Sequence, residues 1–162
     1  MKNPPPAALA ALGEAVAFES GPQAVYAAVA RAAGDLIGHK LLTIMAFDAD
    51  AMRVRRVYSS NPEAYPPGGA KEKRGTAWGR LVLEQGEPYI GHTAEDIRTH
   101  FDDHELIARL GLDSILNVPV KRLGRVVGTM NLLNVADFYS ERDLVWGRVL
   151  AAVLAGVIEK PD

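Results

Sequence analysis

No cysteine occurs among the 162 residues, so disulfides, thiolate nucleophiles, Cys-ligated zinc, iron–sulfur clusters and thioether-linked chromophores are excluded together. An excess of charge of either sign is also missing. The 18 Lys plus Arg stand against 20 Asp plus Glu, a balance that gives little electrostatic grip on a nucleic-acid backbone. The longest apolar run, Val149 to Ile158, falls well short of the roughly 20 residues that cross a bilayer as a helix. No segment repeats at a fixed period, which argues against a solenoid or propeller. What is present is 48% apolar and 23% charged residues, enough to bury one core in one domain. Ala15-Val16-Ala17 has the small-x-small form of a signal-peptidase site. With only Lys2 ahead of it, prolines at 4 to 6 and Glu14 beside it, the stretch reads as part of a helix, and a cytoplasmic protein is expected.

Two helices are expected before any strand. Ala7 to Glu19 carries Leu9, Leu12 and Val16 at helical spacing. Ser20 and Gln23 form an S-x-x-Q capping box for a second helix, with Val25, Val29, Ala32 and Leu36 on one side. Leu41 to Phe47 is apolar on both alternating sets, as in a central strand, and Met52 to Ser59 reads as its antiparallel partner. Asn61 to Gly75, with three prolines and three glycines, reads as a long irregular loop. A short helix from Ala77 to Gln85, a short strand from Pro88 to Gly91 and a short helix within Asp96 to Leu110 follow. Ser114 to Lys121 and Val126 to Asn134 form a second hairpin, whose connection suits a type I turn with a left-handed glycine at a bulge. Ser140 and Asp143 cap the last helix, which carries Trp146, Leu150, Val153 and Val157 on its buried side.

Strand alternation assigns faces to the second hairpin. Leu116, Val118, Val120, Met130 and Leu132 form a wholly apolar set, expected against the first and last helices. Ile115, Asn117, Pro119, Thr129, Asn131 and Leu133 form a mixed set on the side left to loops. Amides among apolar side chains suit the floor of a small-molecule site, since Asn117 and Asn131 each donate and accept. Hydrogen bonding to neighbouring loops is the plainer role for both. Tyr58 and Trp78 are candidate aromatic walls, although core packing explains Trp78 more simply. Phe101 belongs to the short helix that would roof the site. Asp96 and Asp113 precede roof and floor elements, where capping or turn formation is the plainer role.

Gly75, Trp78 and Gly79, then Gly86-Glu87-Pro88, Val118-Pro119-Val120, Gly124, Val127 to Leu132, and Phe138 with Glu141 and Asp143 together resemble the GAF domain family by order and spacing. The resemblance covers about Gly21 to Ile158, so that residues 1–20 are expected as an N-terminal helical extension and 21–160 as a GAF-like domain. It implies an α+β fold in three α/β/α layers, with a five-stranded antiparallel sheet in the order 2-1-5-4-3. It also implies a ligand pocket under loops on one face. The methionine sulfoxide reductase and covalent bilin-binding branches of that family use cysteines, which this chain lacks. Ile115, Asn131 and Leu133 also stand where the reductase branch has acidic residues.

A non-catalytic sensory domain that binds a small organic ligand and signals by association is the leading expectation, with no cofactor, no metal, no nucleic acid and no membrane. A homodimer through the terminal helices is expected, with Leu12 and Leu154 as the positions where charged substitutions would break it. One alternative is a non-thiol enzyme using Asp96, His100, His104 and Asp113. His100 and His104 share the i, i+4 spacing of paired metal ligands but lack the H-E-x-x-H context, and a solvated helix start explains them more simply. The other alternative is an interaction module with a collapsed pocket.

Overall fold

A computed structural model describes residues 1–160. Helix α1 (Pro5–Phe18) and helix α2 (Pro22–Leu36) each begin with proline in the first turn, where the missing N–H and fixed φ carry no penalty. The expected Ser20 capping box does not form: Gly21 is the N-cap and makes no side-chain cap. The chain then lays down strand β1 (Leu41–Asp48), strand β2 (Arg53–Ser59), a short strand β3 (Ala70–Glu72) and a π-helical turn at Gly79–Glu84. Strand β4 (Tyr89–Gly91), helix α3 (Ala94–His100) and helix α4 (His104–Arg109) follow. Strand β5 (Ser114–Arg122), strand β6 (Arg125–Asn134) and helix α5 (Leu144–Ala155) complete the fold.

The strands form one antiparallel sheet in the order β3-β2-β1-β6-β5-β4. It has six strands rather than the five expected, because residues 70–72 inside the long loop pair with β2 as a solvent-exposed edge. Three exposed residues carry no apolar alternation to announce them. The β5–β6 connection also differs from expectation. Leu123 and Gly124 both have positive φ between the paired Arg122 and Arg125, so it is a two-residue hairpin turn of the kind whose twist matches its strands.

One face of the sheet carries the main core. Leu116, Val118, Val120, Met130 and Leu132 are buried with Ile44 and Ala46 against α2 and α5. The first helix is displaced from its expected place: α1 stacks on α2, with Ala8 and Leu12 buried there. Arg122 ties the hairpin to the end of α5, donating from Nε to the Ala155 carbonyl at 2.6 Å and from Nη2 to that of Ile158 at 2.7 Å. Leu12 and Leu154 are 3% and 0% exposed, so charge there would disrupt the protomer's own core instead of testing association. The exposed apolar side chains of the terminal helices are Val16, Phe18, Val145 and Val149. Among the described residues, no helix is long and apolar enough to cross a membrane.

Candidate functional site

The second face of the sheet lies under the 60–78 segment, the π-helical turn, α3 and α4. It carries two smaller apolar clusters, one around Tyr65, Ile107 and Leu133 and one around Trp78, Val82 and Phe47. A chain of neutral polar groups crosses the floor of this face. The Trp78 indole N–H donates to Asn117 Oδ1 at 3.0 Å, and Asn117 Nδ2 donates to Asn131 Oδ1 at 2.7 Å. Asn131 Nδ2 in turn donates to the hydroxyls of Thr43 and Thr129, each at 3.2 Å. An indole nitrogen can only donate, so it fixes the orientation of the Asn117 amide, and that amide fixes the orientation of Asn131.

Above this floor is a cavity of about 50 Å³. Leu41, Thr43, Ile115, Asn117, Asn131 and Leu133 line it from the sheet, and Tyr65, Lys73, Trp78, Phe101, Asp103 and Ile107 from the cover. Phe101 meets Trp78 edge to face, with ring centroids 6.0 Å apart. The Lys73 ammonium lies over the indole, 5.4 Å from its centroid, a cation–π placement. Gly79 permits this arrangement, because a β-carbon there would collide with the Lys73 carbonyl oxygen. Tyr65 donates its hydroxyl proton to Asp103 Oδ2 at 2.7 Å, and the Arg56 guanidinium stacks on the Tyr65 ring at 4.7 Å. Burial, followed by the Asp103 hydrogen bond and charge, raises the Tyr65 pKa, so the phenol stays a donor.

Trp78, Phe101, Ile115, Asn117, Asn131 and Leu133 thus surround one space, with Thr129 buried beside Asn131. Tyr58, Asp96 and Asp113 lie elsewhere. A bulge in the β1–β2 pairing, where Ile44 faces Tyr58 but Met45 faces Arg56, sets Val57 out of register. Val57 and Tyr58 both pack with the helix-side core, a local phase change that simple alternation misses. Tyr58 there meets Tyr26 with centroids 6.4 Å apart. Asp96 forms a capping box with Thr93 at the start of α3 and accepts from the His92 and Thr93 backbone N–H groups at 2.8 and 3.1 Å. Those two bonds, the His92 one foremost, hold its carboxyl below the usual range. Asp113 directs its backbone N–H to the Asn134 carbonyl and does not line the cavity.

His100 and His104 are separated by the break between α3 and α4, so they share no helical face. His100 instead stacks on Tyr89, centroids 4.8 Å apart. Among the described residues no group of three or more His, Asp or Glu is placed to hold a metal ion. Sequence reasoning misses Leu41, Thr43, Tyr65, Asp103 and Ile107. Tyr65 carried a signal, being the one aromatic residue in a loop otherwise rich in Pro, Gly and charge.

Larger depressions lie on the outside of the molecule. One of about 270 Å³ runs between α5 and β5, and one of about 310 Å³ between α1 and α2. Neither collects the buried polar chain.

The family model described as GAF domain matches residues 19–159. Among solved structures, the GAF domain of an Acinetobacter phosphoenolpyruvate-protein phosphotransferase is similar at 18% identity, TM-score 0.75, over 96% of this chain and 93% of that one. That of the corresponding Coxiella burnetii protein is similar at 16% identity, TM-score 0.75, over 94% and 90%. The GAF domain of a two-component sensor histidine kinase from Bacillus halodurans is similar at 16% identity, TM-score 0.66, over 81% and 88%. At these identities the likeness bears on fold alone. The comparison with curated proteins gives no match.

Proposed function

The chain belongs to the GAF domain family, and we propose that it acts as a non-catalytic regulatory domain that takes a small organic molecule into the cavity above the sheet and passes occupancy on by protein association. One observation carries this reading. A buried, internally oriented chain of neutral groups, Trp78–Asn117–Asn131–Thr43, forms the floor of a space whose cover consists of loop and short helices. Covers of that kind open at lower cost than a packed helix layer does. The Asp and His side chains considered for acid–base catalysis do not converge on this space, which favours binding over reaction. The GAF domains of similar fold include one from a two-component sensor histidine kinase. The reading also keeps the protein in the cytoplasm and joins two copies through the exposed sides of α1 and α5.

A second reading has its own observation. At about 50 Å³ the cavity is far below the roughly 300–1,000 Å³ of ordinary ligand pockets, as expected of an interaction module whose pocket has closed. Thermal melting of the protein with a panel of small metabolites separates the two. A ligand present at about 100 times its dissociation constant adds roughly 2.7 kcal/mol, so at least one compound is expected to raise the Tm. A panel without any such compound overturns the ligand reading and leaves the interaction module.

A further inference from the structure

Two cations, Lys73 in the lining and Arg56 just outside it, share the carboxylate of Asp103 at the cavity. Asp103 is the single carboxylate in its lining. Its Oδ2 is engaged by the Tyr65 hydroxyl, while the Arg56 guanidinium stacked on that ring is coupled to the same charge. Lys73, also in the lining and partly buried, makes no ion pair among the described residues. Burial holds its pKa below the ordinary lysine value. Exposed Lys71 pushes in the same direction, and the opposing influence of Asp102 and Asp103 does not make up the difference. The Lys73 ammonium therefore has carboxylates near it but no short ion pair among the described residues.

The hydrogen-bond inventory leans the same way. The Asn117 amide nitrogen has two protons and uses one, on Asn131 Oδ1. Its oxygen is committed to Trp78, and the Asn131 nitrogen is committed to the hydroxyls of Thr43 and Thr129. The floor thus has an unspent donor, an amide N–H, and the cover another, the ammonium of Lys73, while Asp103 Oδ1 is the acceptor left over beside the Tyr65 bond. A group that only accepts and carries one negative charge satisfies both donors. Around it the walls are apolar, with Leu41, Ile107, Ile115 and Leu133. The free volume of about 50 Å³ holds about three to five water-sized groups.

From this we infer that the cavity takes a short-chain monocarboxylate, its carboxylate between Lys73 and Asn117 and its carbon tail against Leu41, Ile107, Ile115 and Leu133. The inference rests on the ligand-binding reading above and names the ligand class. Binding neutralises Lys73 without breaking the Tyr65–Asp103 bond, so the small acid enters with little rearrangement of the cover. An acid with a longer tail has to push Ile107 or Phe101 aside and binds less well.

The wild-type protein carries its own reporter pair. It has two tryptophans, Trp78 in the lining and Trp146 on the opposite side of the sheet, so the two indole N–H signals in a proton–nitrogen correlation spectrum serve as probe and reference. Sodium propionate is titrated at constant ionic strength beside propionamide, which has nearly the same shape and no charge. The expected result is a saturable shift of the Trp78 signal with Trp146 unmoved, and affinity for propionamide weaker by about tenfold or more. Lys73→Met and Lys73→Gln should each lose about tenfold in propionate affinity while Lys71→Met keeps it, the melting temperature of each variant serving as its folding control. Equal binding of propionamide and propionate, or full affinity in both Lys73 variants, overturns the carboxylate assignment and leaves the ligand-binding reading standing. If neither compound moves the Trp78 signal, the assignment also fails, and the metabolite melts decide the ligand-binding reading separately.

Discussion

The two faces of the sheet are made from alternate residues of the same strands. Leu116, Val118, Met130 and Leu132 point one way and are covered by α2 and α5, two helices of three to four turns. Ile115, Asn117, Asn131 and Leu133 point the other way and are covered by loop, a π-helical turn and two short helices. The first face is a close-packed apolar core and the second a pair of smaller clusters divided by amides. Stability therefore belongs mainly to the helix-covered face, and the ligand binding we propose is placed on the face where the cover is irregular and the floor is polar.

That division predicts unequal costs of substitution. Leu132→Ala, at a position with 0% exposure, should lower unfolding free energy in urea by about 2–5 kcal/mol, the range for emptying a closely packed site. Asn117→Ala should cost less, about 1–3 kcal/mol, because it leaves the Trp78 N–H and the Asn131 carbonyl oxygen buried without a partner. It should also displace the Trp78 indole signal with Trp146 unchanged, which Leu132→Ala should not do selectively. If the two substitutions cost the same and perturb both indoles alike, the faces are not distinct in the sense argued here.

Why one face was readable and the other only half so follows from range. Period-two alternation in β5 and β6 is local, and it assigns eleven side chains to their faces because the pairing of residues 114 to 120 with 128 to 134 runs without a slip. In β1 the same rule gave nothing, since both alternating sets are apolar; Leu41 and Thr43 reach the cavity without any sequence sign. In β2 it failed at Tyr58, where the bulge changes the phase. The cover is least legible: Tyr65 meets Asp103 across 38 residues of chain through a single side-chain hydrogen bond, and Lys73 meets Trp78 through a cation–π contact. No periodicity encodes such meetings. Trp78 is buried and also lines the cavity, because burial of the indole requires a partner for its N–H, and Asn117 in the floor supplies it.

Smaller effects sharpen the contrast further. Val149 on α5 is 40% exposed, so Val149→Asp should change the stability of the protomer by no more than about 0.5 kcal/mol. A homodimer through the terminal helices predicts that this variant, or Val145→Asp, sediments as a monomer. An unchanged sedimentation mass for both removes that interface. The last prediction concerns pH. Because the bound carboxylate faces the Lys73 ammonium, its affinity should be steady in the neutral range and fall as the pH rises through the Lys73 pKa, which burial places below the ordinary lysine value. In Lys73→Met that alkaline loss should vanish along with most of the affinity.

The central claim is that the loop-covered face admits a small molecule while the helix-covered face remains closed. Its most direct test is the indole spectrum of the wild-type protein recorded across the full metabolite panel. At least one compound is expected to shift Trp78 saturably and leave Trp146 in place. A panel in which Trp78 never moves, or moves only together with Trp146, would contradict it.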